Sequence, residues 1–137
     1  MENKETEILE DIEALNEATD RDDALFIQSP TIYTHVLERP IERDGKQYES
    51  LTFDYSCLTG RNSLSFEQNV LTEFRKNVVI PALSSEYLVN MAARACTDRD
   101  EQGKPFVNVP FLLDLPIRDF LRICASARRF LQRLALS

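Results

Sequence analysis

The 137-residue chain contains only three glycines, three cysteines, one histidine and no tryptophan. Gly45, Gly60 and Gly103 are far apart, so no glycine-rich phosphate-binding motif is present. The cysteines are odd in number and form no CxxC pair, which favours reduced thiols in an intracellular protein over a disulfide framework. Nothing in the spacing brings a cysteine to His35, so Cys-His catalysis is disfavoured.

Long apolar runs and an excess of basic residues are also missing. No run approaches the roughly 18 residues that span a bilayer, and the acidic N-terminus is unlike a signal peptide. The formal charge of −7 argues against nonspecific binding to nucleic acid or to an anionic membrane, since both need a positive field. These features predict a cytoplasmic protein.

The negative charge is concentrated at the N-terminus. Residues 1–23 alone carry −8, so the remainder of the chain sums to +1. Within this arm Ile8, Leu9, Ile12 and Leu15 recur at helical spacing, which predicts an acidic amphipathic helix over residues 1–24. Three interpretations stay open: a helix packed on its own domain, an arm that contacts another copy or a partner, or a disordered segment.

Residues 30–137 are predicted to form a single α+β domain that begins with a β-hairpin. Asp44-Gly45 between two β-branched and aromatic runs is typical of a two-residue hairpin turn. The resulting register pairs Ile41 with Tyr48 and Val36 with Phe53, and it sets His35 opposite Asp54 as a cross-strand polar pair. The apolar face changes along the strands and Pro40 cannot donate in a ladder, so a strong twist or a bulge is expected.

About three helices are expected to cover the hairpin. Ser65 and Gln68 resemble a capping box that opens the first helix, which is expected to end at Pro81. The second begins at Ser84 or Ser85, and its buried stripe is predicted to consist of Tyr87, Leu88, Met91, Ala92 and Ala95. The apolar segment 107–116 is expected to be extended. The last helix runs from Pro116 to Leu136, with its inner face predicted as Ile117, Phe120, Leu121, Cys124, Ala127, Leu131 and Leu134.

Two segments invite a functional interpretation from chemistry alone. The loop Asp98–Gly103 begins like a calcium loop, but Val109 stands where the bidentate glutamate should be, so a solvated loop is predicted. The last helix carries five arginines and one aspartate, which suggests contact with acidic groups, either of the N-terminal arm or of a partner. No catalytic, cofactor-binding or metal-binding set is predicted anywhere in the chain.

The order of motifs resembles the tail assembly chaperones of long-tailed bacteriophages and their prophages. In that family a strand ending in Leu-x-x-Pro-Ile, here Leu37–Ile41, meets a Gly-Lys-x-Tyr-x-x-Leu strand, here Gly45–Leu51. A Leu-Thr-Gly loop (Leu58–Gly60) follows. The pattern closes with Leu-Pro-x-x-Asp-Phe, matched by Leu115–Phe120, and a terminal Phe-Leu pair in the last helix. The pattern covers roughly residues 32–131 and leaves the acidic arm outside.

This resemblance implies a binding role in which the protein catalyses no reaction. Such proteins bind the long apolar tape measure protein and keep it soluble until tail tube subunits polymerise around it in the host cytoplasm. The expected partners are therefore the tape measure protein and, as a second candidate, the tail tube protein or another copy of the chain. The candidate contact residues are Ile8, Leu9, Ile12, Leu15, Leu134 and Leu136. The alternative hypothesis is a small nucleic-acid-binding or regulatory protein that uses the arginine-rich last helix.

Overall fold

The chain folds as an α+β domain within residues 31–136, which the computed structural model describes. The strands are β1 (Ile32–Arg43) and β2 (Lys46–Asp54), and the helices are α1 (Gly60–Phe74), α2 (Ser85–Ala95), α3 (Val109–Leu113) and α4 (Ile117–Leu136). Short 3₁₀ turns cover Tyr55–Cys57 and Pro81–Leu83. The predicted fold class is confirmed for this part of the chain. The predicted N-terminal helix lies outside the described residues.

The tip of the hairpin forms as the sequence predicts. Asp44 and Gly45 both adopt positive φ, 52° and 81°, which matches the twist of the flanking strands. Ile41 pairs with Tyr48 and Arg43 with Lys46, so the register near the turn is confirmed.

A bulge displaces the register further from the tip. Between Val36 and Ile41 the pairing shifts, so that Val36 lies opposite Ser50 and His35 opposite Leu51. The predicted pairs, Val36 with Phe53 and His35 with Asp54, are therefore wrong. Because the extra residues lie on β1, Val36 turns outward and is 53% exposed, while Leu37 is buried.

The outer edge of β2 is covered by the segment that follows α2. Phe53 and Cys96 form an isolated antiparallel bridge, and the backbone N–H of Thr97 donates to the carbonyl of Thr52 at 2.8 Å. The Asp98 carboxylate accepts from the N–H of Thr52 at 2.7 Å. An edge strand whose polar groups are paired in this way does not offer a template for another chain.

The helices agree with the prediction in α2 and differ elsewhere. Ser84 caps α2, and its predicted stripe is buried throughout. Helix α1 begins earlier than predicted, because Thr59 and Asn62 form the capping box, and it ends at Arg75 in a left-handed conformation, before Pro81. The segment predicted to be extended contains the short helix α3, capped by Asn108.

Helix α4 has the predicted length but a different inner face. It packs against α2 and β1. Ile117, Leu121 and Leu134 are exposed, whereas Asp119 and Ile123 are buried. The prediction is right for Cys124 and Ala127, which are buried, and for Phe120 and Leu131, which are half-buried against the core. It is wrong for the three exposed residues because it assigned apolar residues to the core by type, whereas the buried side of the helix runs through Asp119 and Ile123.

Candidate functional site

An apolar groove of about 440 Å³ lies beside the C-terminal end of α4. Its walls come from the turn after β2, the start of α1, the face of α2 and the last turns of α4. The lining residues are Tyr55, Ser56, Leu58, Thr59, Gly60, Ser63, Phe66, Tyr87, Met91, Phe130, Leu131 and Leu134. None of them is charged, so the groove offers aromatic and aliphatic surface and a few hydroxyl groups.

Local capping places α1 at the edge of this groove. The Thr59 hydroxyl accepts from the N–H of Asn62, and the Asn62 side chain accepts from the N–H of Thr59 at 2.9 Å. The helix therefore starts at Gly60, and its first turns bring Ser63 and Phe66 toward α2. Phe66 meets Tyr87 edge to face, with ring centroids 5.6 Å apart.

The polar atoms of the groove are already satisfied by the fold. The Tyr55 hydroxyl donates to Ser126 Oγ at 2.6 Å, since the Ser126 hydroxyl itself donates to the carbonyl of Ile123. The Ser63 and Tyr87 hydroxyls lie 2.7 Å apart. Burial raises the pKa of the Tyr55 phenol far above its usual value, so it stays protonated. A ligand in the groove would consequently be recognised by apolar contact.

Of the sequence-predicted contact residues, Leu134 lies on the groove. Its side chain is 55% exposed, while Phe130 and Leu131 are half-buried beside it. Leu136 is the last residue of α4. Ile8, Leu9, Ile12 and Leu15 lie outside the described residues.

Sequence reasoning missed the other walls of the groove. Leu58 and Phe130 belong to motifs that carried the resemblance, but nothing in the sequence shows that they face one another. The spacing of Phe130, Leu131 and Leu134 at i, i+1 and i+4 was the available signal. Leu131 and Leu134 are predicted on the inner face of the helix, whereas no position is predicted for Phe130.

Two motifs of the resemblance, Leu37–Ile41 and Leu115–Phe120, meet elsewhere, at the bulge of β1. The Asp119 carboxylate accepts from the N–H of Glu38 at 3.2 Å, inside Leu37–Ile41. Because the bulge removes the pairing with β2 here, this N–H needs another acceptor. Hydrogen bonding in the fold thus accounts for the aspartate of the second motif.

The side chain of His35 contacts Asp119 in this cluster, and it does not pair with Asp54 as predicted. Its Nε2 lies 2.6 Å from Asp119 Oδ1, and its Nδ1 lies 2.8 Å from the Tyr33 hydroxyl. A neutral imidazole satisfies both contacts if Nε2–H donates to the carboxylate and Nδ1 accepts from the phenol. The exposed fractions of Tyr33, His35 and Asp119 are 3%, 2% and 2%, so no substrate reaches the imidazole in this conformation. The cluster is built as a structural network.

The sequence carried one signal for this pair. His35 alternates with the apolar residues Tyr33 and Leu37 on one face of β1, and Asp119 precedes the apolar inner face of α4. A polar residue on each of two buried faces needs a partner, and each can satisfy the other.

Acidification is expected to destabilise the protein through His35. Burial lowers the pKa of His35 below 6.5, with Arg122 and Arg118 contributing and Asp119 opposing. Since the unfolded chain then takes up a proton that the folded chain does not, stability present above pH 6.5 is lost as the pH falls below it. We expect the free energy of unfolding to fall by up to about 1.4 kcal/mol per pH unit through this residue.

The measurement is urea denaturation between pH 7.5 and pH 5, with His35→Gln as the comparison. The variant should lose stability less steeply over this range because it has no imidazole to protonate. Equal slopes for the two proteins would contradict the prediction.

The other reactive groups in the described residues give no catalytic arrangement. Cys96 and Cys124 are buried, and burial raises the pKa of each thiol to about 12. Both therefore remain protonated near neutral pH. In the loop that resembles a calcium site, the Asp100 carboxylate accepts from the N–H groups of Gln102 and Lys104. Between residues 31 and 136, no group of three or more His, Cys, Asp or Glu could hold a metal ion.

The arginine-rich face of α4 is partly used by the fold. Arg128 is half-buried, and its Nε donates to the carbonyl of Ala82 at 3.0 Å. Arg129 is also half-buried. A nucleic-acid interface on this helix would therefore depend on other arginines, and that alternative stays a prediction.

No protein-family model, curated protein or solved structure matches this chain. Within residues 31–136, no helix combines the length and the apolarity that crossing a bilayer requires.

Proposed function

We propose that the protein is a non-enzymatic tail assembly chaperone, and that it holds an apolar helix of the tape measure protein in the groove beside α4. The observation that supports helix binding is an uncharged groove whose polar atoms are satisfied and whose rim exposes Leu134. Amphipathic helices bind such grooves through apolar side chains at i, i+3 and i+4. The identity of the partner rests on the sequence motifs alone.

The charge of the chain suits this role. A long apolar helix aggregates in water unless its apolar stripe is covered, and a carrier of net charge −7 keeps the complex apart from other copies. No chemistry is required of the carrier. The proposed site of action is the cytoplasm of the bacterial host, where tail tube subunits would displace the protein during assembly.

Coexpression of the tape measure protein with Leu134→Asp is expected to recover at least tenfold less soluble complex than coexpression with the unchanged chain. A carboxylate on the groove rim would have to be desolvated against the incoming helix, which costs binding energy. The measurement is the amount of tape measure protein that coelutes with the chain in size-exclusion chromatography.

Ile117→Asp is the matched control. Ile117 is another exposed apolar residue of α4, 74% exposed, at the opposite end of the helix and outside the groove. This variant should recover the complex like the unchanged protein. Equal recovery with both variants would remove the groove from the proposal, and no complex with the unchanged chain would remove the proposed partner.

A further inference from the structure

The chain enters the described fold at the edge of the groove. The carbonyl of Thr31 accepts from the N–H of Tyr55 at 2.9 Å, and Tyr55 is one of the groove-lining residues. Thirty residues precede this point, and they include the apolar stripe of residues 8–15. The stripe is therefore joined through residues 16–30 to a point at the edge of an apolar surface.

We propose that residues 8–15 dock in the groove of the same chain, with Ile8, Leu9, Ile12 and Leu15 against Leu58, Phe130, Leu131 and Leu134. Both sets of side chains are apolar and Leu134 is 55% exposed, so contact between them would remove apolar area from solvent. The inference concerns the free protein, and it holds whether or not the proposed partner is the right one. It gives the stripe a role beside the partner contact predicted from the sequence.

Tether length permits this docking. Fifteen residues separate Leu15 from Thr31. Fully extended, such a segment spans at most about 50 Å, which is longer than a groove formed by a few helical turns. A short tether also gives the stripe a local concentration on the order of millimolar, so docking within one chain outcompetes docking between chains in dilute solution.

Charge complementarity also favours residues 8–15 as the segment that occupies the groove. Residues 1–23 carry −8, and the polar positions around the stripe are mostly Asp and Glu. After Asp119, helix α4 carries Arg122, Arg128, Arg129 and Arg133 and no acidic residue. No charged residue lines the groove itself. An apolar stripe flanked by acids thus faces an apolar groove beside a basic helix, which is the complementarity expected of a specific contact.

Cys57 provides a reporter at the groove. It is exposed and lies between the lining residues Ser56 and Leu58, whereas Cys96 and Cys124 are buried. A nitroxide spin label will therefore attach to Cys57 in the full-length chain. Paramagnetic broadening by this label can then be measured on the backbone amide signals of residues 8–15, before and after the nitroxide is reduced.

In the unchanged chain, the amide signals of residues 8–15 are expected to lose most of their intensity and to regain it on reduction. In the double variant Ile12→Glu and Leu15→Glu, they should keep their intensity. The matched control is Thr6→Glu with Ala14→Glu, which adds the same charge to the opposite face of a helix and should behave like the unchanged chain.

Three results would overturn the proposal. The first is full intensity for residues 8–15 in the unchanged chain. The second is identical behaviour of the two double variants, since the effect would then not depend on the apolar face. The third is broadening in a mixture of isotope-labelled chain without nitroxide and nitroxide-bearing chain without isotope, which would place the contact between copies. No partner protein is present in this experiment, so its outcome is separate from the test of the proposed function.

Discussion

Replacing Asp119 with alanine is expected to lower the free energy of unfolding by about 3–5 kcal/mol. The change leaves the buried Nε2–H of His35 and the partly buried N–H of Glu38 without their carboxylate acceptor. Each buried polar group that loses its partner costs about 1–3 kcal/mol. Since a domain of this size is stable by about 5–15 kcal/mol, the variant should unfold at a much lower denaturant concentration.

Urea denaturation at pH 7.5, followed by circular dichroism, measures this effect. Asp114→Ala is the control, because it removes a carboxylate that is exposed and five residues away on the same segment of chain. The control should change stability by no more than about 0.5 kcal/mol. A loss of less than about 1 kcal/mol for Asp119→Ala would mean that the hydrogen bonds contribute far less than their burial indicates.

A double-mutant cycle separates the pair from its surroundings. With His35→Ala, Asp119→Ala and the double variant, the coupling between the two side chains is expected to be about 1–3 kcal/mol. A coupling near zero would show that Asp119 acts mainly through the backbone of the bulge at Glu38.

Replacing Phe53 with alanine is expected to cause the second large loss of stability, lowering the free energy of unfolding by about 3–5 kcal/mol. Phe53 is completely buried, and its ring stacks against Tyr33 and Tyr55 with centroids 6.4 and 6.5 Å apart. The cavity would open where β2 meets the helices, so little of it can close by relaxation. The same denaturation experiment measures the loss.

Val36→Ala tests the register at the same time. In an uninterrupted hairpin Val36 would face the core beside Phe53, and its truncation would remove buried surface. In the observed register it lies opposite Ser50 with an exposed side chain, so the loss should stay within about 0.5 kcal/mol. Comparable losses at Phe53 and Val36 would contradict the bulge.

Local chemistry was sufficient for several elements. The two-residue turn needs positive φ at both central positions, and Asp44 and Gly45 are residue types that adopt positive φ readily. Helix α2 has a strong cap at Ser84 and a continuous stripe, so its start and its buried face were both predictable. The length of α4 followed from its uninterrupted periodicity after Pro116.

Tertiary contacts decided those features for which the local sequence pattern allowed more than one structure. The position of the bulge depends on Asp119, which lies 81 residues from Glu38 and supplies the acceptor that β2 no longer provides. The true inner face of α4 depends on which side β1 and α2 occupy, because apolar residues are present on more than one side of the helix. Helix α1 starts six residues before the predicted capping box at Ser65 and Gln68, because Thr59 and Asn62 form the box, with asparagine in place of the usual glutamate or glutamine.

The sequence by itself determined the fold class of the described residues, the turn, the start of α2, the length of α4, and the division of charge between an acidic N-terminal segment and a weakly basic remainder. Only the tertiary structure brought Tyr55, Leu58 and Phe130 to one groove and paired His35 with Asp119. The physical reason is the range of the interactions. Turns, caps and helices are fixed by residues within a few positions of one another, whereas a groove and a buried hydrogen-bonded pair exist only when distant segments pack together.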